Sequence, residues 1–319
     1  MKGLLLVNTG SPASPQPKDV KMFIEAMLSD PLVMTVPDWF RTILVKGIIG
    51  PTRQFASAKK YSLIWDEEIN TSTLIYNAKE LAKKVEEQAK IPVEVGMRYL
   101  EPCITKALTK LAVRNSELTE VVVLPLFPHY AQSSYQTVVE KVQDCYQRGE
   151  YTFSLRIIEP YFNHKEYIDA ICESIKPYLS DDYERILFNF HSLPLSHVEE
   201  GFEKGVEFDY VYQVKETVRL ITHQLDLEAK KVRVVFSSAF GKKWLEPSLD
   251  DQVGEMAEEG IKKILVVSPG FASDNLETLY DIDIAAKDIF INKGGEQLTY
   301  IPCLNASQAW VDAIQQIIL

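Results

Sequence analysis

A histidine and a short ladder of carboxylates stand just past two strand-like stretches, and they are the residues of this sequence best suited to chemistry. His191 closes the apolar run 186–190 in the segment FNFHSLP. Glu277 and Asp281 lie in SPGFASDNLETLYDID, residues 268–283, which follows the apolar run 264–267 and breaks at Pro269-Gly270. An imidazole paired with a carboxylate can hold a divalent metal ion or move a proton near neutral pH. Asp281 follows Glu277 by one helical turn, so a helix would put both carboxylates on one face. Asp274 stands three residues before Glu277, the spacing of a helix N-cap and its box partner. The plainer alternative makes His191 an ordinary strand-end residue and Glu277 a favourable first-turn acid.

The elements that must position these groups alternate along the chain. Apolar runs at 3–7, 93–97, 120–127 and 153–158 read as strands, and 185–190, 232–237, 263–268 and 298–302 as four more. Helical spacing falls between them, as at 19–28, 71–89, 104–113, 135–148 and 165–178. Alternation of this kind predicts an α/β fold with parallel sheets and right-handed crossovers. The expectation is two Rossmann-like domains, each with a parallel sheet of about four strands flanked by helices and an active-site cleft between them. Residues 1–159 form the first, with an apolar lip at about 20–55, completed by the C-terminal helix 306–319; residues 160–305 form the second and carry the His/Glu pair. In open parallel sheets ligands bind at the carboxyl ends of strands, where His191 is placed. The stretch 32–49, rich in Val, Ile, Trp and Phe, is either a core helix or a lip for a flat apolar ligand or a membrane surface, with Arg41, Lys46 and Arg53 as cations beside it.

Composition narrows the classes. The chain has 319 residues, 46% of them hydrophobic, and a net charge of −11, which argues against nucleic acid as a partner. The four cysteines, Cys103, Cys145, Cys172 and Cys303, form no C-x-x-C pair and read as reduced thiols. No run reaches the length of a membrane span, and MKGLLLVNTG is too soon interrupted for a signal peptide. The expected location is cytoplasmic, with peripheral contact at the inner face of the membrane. There is no G-x-G-x-x-G or Walker loop, so dinucleotide and nucleotide-triphosphate chemistry is not expected.

Taken together, HSLP and S-D-x-x-E-T-L resemble the ferrochelatases, as do VNTGSP, GMRY at 96–99, LPLFPHYAQSS at 124–134, GKKWLEP at 241–247 and IPCLNAS at 301–307. The resemblance covers nearly the whole chain. It implies insertion of Fe(II) into protoporphyrin IX to give protohaem, the last step of haem biosynthesis. LSDPLVM at 28–34 is similar to the members that use protoporphyrin. A chelatase for coproporphyrin III or sirohydrochlorin, or a non-catalytic haem or porphyrin carrier, are the alternatives; a periplasmic-type metal-binding protein is disfavoured by the missing signal sequence.

The resemblance implies His191 and Glu277 as the catalytic pair, with Asp281 joining them in a relay for metal or protons. It implies porphyrin contacts from Thr9, Arg53, Arg98, Tyr99, Trp244 and Phe271. Iron is then a substrate, no tightly bound cofactor is expected, and no iron–sulfur cluster is expected without a cysteine-bearing C-terminal extension. The chain also departs from the family pattern. Asn275 stands where many members have histidine, Ala285 replaces a third acid beyond Asp281, and Ser237 and Ala239 stand in FSSAFGKKW where an amide and a cation are usual. Thr71 and Thr73 replace the glycine and proline of a G-S-P-L turn.

Overall fold

Runs such as LLLV and VVVL have no polar side to give to water, and they fold as strands covered on both faces. The computed structural model describes residues 1–115, 117–179 and 182–319. In it the chain divides into two compact units: Met1–Phe127, Gln132–Glu159 and Ile318–Leu319 form the first, and Pro128–Ala131 with Pro160–Ile317 form the second. Each contains a four-stranded sheet in which every pairing is parallel.

The first unit runs β1 (Lys2–Asn8), α1 (Pro17–Leu28), α2 (Asp38–Ile43), α3 (Gly50–Ile64), α4 (Thr73–Ala89), β2 (Val93–Met97), α5 (Ile104–Arg114), β3 (Glu120–Pro125), α6 (Thr137–Arg148) and β4 (Ser154–Ile157). Its strand order is β2-β1-β3-β4. Alternate residues Leu5, Val7, Val121 and Val123 pack against Ile104, Leu108 and Leu111 of α5 and Val138 and Val142 of α6. Leu4, Leu6, Val122 and Leu124, of the opposite parity, are equally buried. Each such side chain contributes about 1.5–3 kcal/mol on leaving water, which holds both faces of the sheet under helices.

Between α1 and α4 lies the apolar stretch read as a core helix or a lip. It is not core. α2 passes through a π-helical stretch, Leu44–Ile49, directly into α3. Val45 is buried, but Trp39 is 69% exposed and Phe55 66%, with Phe40, Ile43 and Ile48 also exposed. Arg41 is not a cation offered at this surface. It is buried, and its guanidinium donates to the carbonyls of Met34 and Val36 and pairs with Asp38, stapling the turn before α2.

The second unit runs α7 (Lys165–Ile175), β5 (Arg185–His191), α8 (Leu195–Lys204), α9 (Tyr210–Gln224), β6 (Val232–Ser237), α10 (Leu249–Glu258), β7 (Lys263–Val267), α11 (Leu276–Leu279), α12 (Lys287–Asn292), β8 (Gln297–Ile301) and α13 (Gln308–Ile317). Its order, β6-β5-β7-β8, repeats that of the first sheet. Leu187, Val235, Ile264 and Val266 pack against Leu249, Val253 and Met256 of α10 and against Ile282, Ala286 and Phe290. The closing helix does not complete the first unit as its position at the chain end suggests. Trp310 of α13 is fully buried and packs on Tyr161 and on Tyr167 of α7, so the helix belongs to the second unit.

The turn after β1 shows why glycine is required at one position. Gly10 has φ +107°, and a Cβ there would lie 2.3 Å from the Tyr99 carbonyl oxygen. Gly10→Ala is therefore expected to cost about 2–3 kcal/mol, read as a lower urea midpoint with an unchanged slope.

Candidate active site

In the second unit the central strand β5 ends at His191, flanked by β6 on one side and β7 on the other. The backbone there is fixed from three directions. The Tyr210 hydroxyl donates to the His191 carbonyl at 2.9 Å, the Ser192 N–H donates to the Ser237 carbonyl at 2.8 Å, and the Ser192 hydroxyl donates to the Leu245 carbonyl at 3.0 Å. The HSLP segment pairs with GKKWLEP: Leu195 and Leu245 donate to Lys243 and Leu193, and Pro194 and Trp244 form an antiparallel bridge. Trp244 is half-buried beside Phe240.

The imidazole itself is set by its neighbour. His191 Nδ1 lies 2.5 Å from the Ser192 carbonyl oxygen. A carbonyl can only accept, so Nδ1 carries the hydrogen and Nε2 of the neutral ring keeps its lone pair. Two residues earlier on the same side of β5, fully buried Asn189 donates to the hydroxyls of Ser237 and Ser268, joining the ends of β6 and β7 beneath the histidine. Ser237 thus has a structural task of its own at a position where the resemblance leads one to expect a different side chain around it.

The carboxylates arrive from the far side of β7. The segment after β7 is tied down by Asp274, which is buried and accepts from the Tyr300 hydroxyl at 2.6 Å, the Asn305 amide at 2.6 Å, the Thr278 hydroxyl at 3.1 Å and the Cys303 N–H at 3.3 Å. Asp274 is therefore not the helix cap that its spacing to Glu277 suggests, because these partners consume its oxygens. The cap is Asn275, whose side chain accepts from the Thr278 N–H while Thr278 Oγ1 accepts from the Asn275 N–H. Such a cap stabilises by about 1 kcal/mol, and asparagine serves better there than a histidine would. Phe271, half-buried, lies in the same loop, where its N–H donates to the Ser268 carbonyl.

Glu277 is in the first turn of α11, half-buried. The helix then widens into a π-helical stretch, Asp281–Ala286, with Ala285 N–H donating to the Tyr280 carbonyl at 2.8 Å. Ile282 and Ala286 face the core, which leaves Asp281 and Ala285 on the adjoining side. Asp281 accepts a hydrogen bond of 3.1 Å from Ser238, a residue held at φ +63° just past β6. Since β5 lies between β6 and β7, this bond crosses the end of the strand that carries His191. His191, Asp281 and the first turn of α11 thus belong to one sheet end. π-Helical turns occur often at functional sites. Among the described residues, no three or more His, Cys, Asp or Glu side chains are gathered into a group able to hold a metal ion.

The first unit brings Thr9, Arg98 and Tyr99 together at the corresponding sheet end. Arg98 and Tyr99 donate their N–H groups to the carbonyls of Asn8 and Thr9, at 2.8 and 2.9 Å. Arg53 is on α3, exposed. The hydroxyl of Tyr99, whose ring is only 4% exposed, donates to Asp30 at 2.8 Å, and Arg98 is ion-paired with the same carboxylate. Thr137 adds a third donor at 2.5 Å and the Leu32 N–H a fourth at 2.9 Å. Sequence reasoning missed Asp30, Asn189, Tyr210 and Ser238. Only Asp30 carried a signal, as a lone acid between two apolar stretches.

Burial pushes the Asp30 carboxyl up, but the Thr137 hydroxyl, the Leu32 N–H, Arg98 and Tyr99 outweigh it and hold the group below the usual aspartate range. The same desolvation and the adjacent negative charge raise the Tyr99 phenol, which stays protonated and donating.

Comparison with known proteins places these features in context. The family model described as Ferrochelatase matches residues 1–319. A ferrochelatase of Porphyromonas gingivalis is 35% identical over 332 residues, covering 99% of this chain and 95% of the relative. A coproporphyrin III ferrochelatase of Lactococcus lactis is 31% identical over 319 residues, covering 99% and 97%. Among solved structures, SirB from Bacillus subtilis with Fe3+ matches with a TM-score of 0.54 at 14% identity, covering 77% of this chain and 92% of that one, a likeness of fold.

A depressed carboxyl gives stability that is complete above the unfolded-state pKa, about 3.9, and lost as pH falls through the folded value. Wild type should therefore lose more stability between about pH 5 and pH 3 than Asp30→Asn, measured as urea midpoints at each pH. Equal losses would contradict the assignment of a charged Asp30 in the folded protein.

Proposed function

Because this chain belongs to the ferrochelatase family, whose members are metal chelatases acting on a porphyrin and iron, we propose that it inserts Fe(II) into protoporphyrin IX to give protohaem. The observation that carries the assignment of roles is the tautomer of His191 at the end of β5, with Nδ1 held by the Ser192 carbonyl and Nε2 left as the acceptor. In this reading Nε2 of His191 accepts a pyrrole proton. Glu277 supplies the facing carboxylate, and Asp281 extends it as the next station for metal or protons. Oxygen donors with one imidazole bind Fe(II) without the tight grip of a thiolate cage, which suits an ion that must be released into a ring. Thr9, Arg53, Arg98, Tyr99, Trp244 and Phe271 are assigned to the porphyrin. Iron enters as substrate, and neither a resident cofactor nor an iron–sulfur cluster takes part.

Residues 28–34, LSDPLVM, favour protoporphyrin as the ring. The relative named for coproporphyrin III supports a second reading in which that porphyrin is the substrate. The exposed row of Trp39, Phe40, Ile43, Ile48 and Phe55, with Lys46 and Arg53 among them, further supports docking of this stretch on an anionic membrane surface. No helix among the described residues is long and apolar enough to cross a membrane.

Anaerobic assays that follow the Soret band with each porphyrin test the substrate. Protoporphyrin IX should be metallated with a kcat/KM at least about tenfold above that of coproporphyrin III, and the reverse ratio would install the second reading. His191→Ala and Glu277→Gln should each lower kcat by about 10²–10⁴-fold at unchanged thermal midpoint, and undiminished turnover in either would remove that residue from its role. For the surface, sedimentation with phosphatidylcholine vesicles containing phosphatidylglycerol should show binding that drops about tenfold in Trp39→Ser/Phe55→Ser. Equal binding by both proteins would refute the docking stretch.

A further inference from the structure

We propose that Asp30 is a positioning residue for porphyrin binding: its buried carboxylate sets the orientation of Arg98 and Tyr99 and ties both to the start of the exposed apolar stretch. The proposal rests on the reading that Arg98 and Tyr99 face the porphyrin.

The geometry is a closed ring. Arg98 Nε donates to Thr137 Oγ1 at 2.7 Å, Thr137 Oγ1 donates to Asp30 Oδ2 at 2.5 Å, and Arg98 Nη2 pairs with that same oxygen. The Tyr99 hydroxyl is the third donor to Asp30 Oδ2, while Asp30 Oδ1 accepts from Leu32 N–H. Only 2% of the Asp30 side chain and 20% of the Arg98 side chain are exposed. The guanidinium also lies over the Tyr99 ring, 4.7 Å from its centroid. One flat cation is thereby fixed in plane and rotation by two hydrogen-bonded edges and a ring face. Its Nη1 takes no part in this ring.

Asp30 also organises the chain that follows it. Its carbonyl accepts from Val33 and Met34, and the carbonyl of Met34 in turn receives Arg41 at the start of α2. The carboxylate itself joins this turn only through Leu32 N–H, and that one bond couples the Arg98–Tyr99 pair to the entry of the apolar stretch. Removing the carboxylate would leave Arg98 held by Thr137 and the Tyr99 ring alone, without the pairing at Nη2, and would take from the turn the bond to Leu32 N–H. A side chain that merely supports folding would change stability alone, whereas one that orients a binding group changes apparent affinity.

Steady-state iron insertion is measured for wild type, Asp30→Asn, Arg98→Ala, Tyr99→Phe and Thr137→Val, with protoporphyrin IX and in parallel coproporphyrin III, alongside thermal midpoints. Asp30→Asn should raise the porphyrin KM about tenfold with kcat within about threefold, the loss of a hydrogen-bonded charge being of that order. Thr137→Val, which keeps both charges, should raise KM in the same direction by less and guards against an Asp30→Asn protein that fails to fold. In Asp30→Asn/Tyr99→Phe the two effects should be less than additive, since both act on one hydrogen bond. An unchanged KM in both Asp30→Asn and Thr137→Val, with Arg98→Ala or Tyr99→Phe raising it, would overturn the positioning role and leave the parent reading standing. An unchanged KM in Arg98→Ala and Tyr99→Phe would overturn the parent reading and this inference with it.

Discussion

A carboxylate can leave water only where donors replace the water it loses, and among the described residues Asp30 in the first unit and Asp274 in the second meet that condition. Asp30 gathers donors from the turn after α1, from the residues after β2 and from the start of α6. Asp274 gathers them from α11, from the end of β8 and from the loop that follows it. Each acid pulls separate loops into one arrangement because none of them alone offers enough donors. Removing either would strand several polar groups together, which is why loops rather than strands depend on these two side chains. The parallel sheets supply a rigid edge, and the buried acids decide where the loops sit on it.

Much of the architecture was legible because it depends on local pattern. Continuous apolar runs marked the central strands β1, β3, β5 and β7, and 3.6-residue spacing marked most helices, since burial on both faces of a parallel sheet leaves little room for other patterns. The place of His191 in the fold was legible for a related reason: it closes the apolar run of β5, so chain order already puts it at a sheet end. What the sequence concealed depends on partners far along the chain. Asp274 has the spacing of a cap, yet Tyr300 and Asn305 claim its oxygens and Asn275 caps in its place. Arg41 looks like a surface cation, but neighbouring carbonyls draw it inward. The closing helix was assigned to the wrong half because nothing near Trp310 reveals that Tyr161 and Tyr167 await it.

The places where the chain departs from its family acquire local reasons. Asn275 supplies a helix cap, and Ser237 answers Asn189. Ala285 shortens the acidic ladder, yet the π-helical turn keeps its side apart from the buried Ile282 and Ala286. For the replacements at Thr71 and Thr73 the structure offers no functional reason. Asp281 is braced by Ser238 from the loop after β6.

The hydrogen bond between His191 and the Ser192 carbonyl has a stoichiometric consequence. A neutral imidazole takes up one hydrogen ion, and with Nδ1 occupied only Nε2 can receive it, whereas a free-base porphyrin surrenders two before a divalent cation balances its charge. On the roles assigned above, a second receiver is obligatory in every turnover, or the histidine must empty itself between the two transfers. Should the histidine take both in turn, the pace at which Nε2 gives up the first would set a ceiling on the cycle; should a carboxylate take the other, it would not.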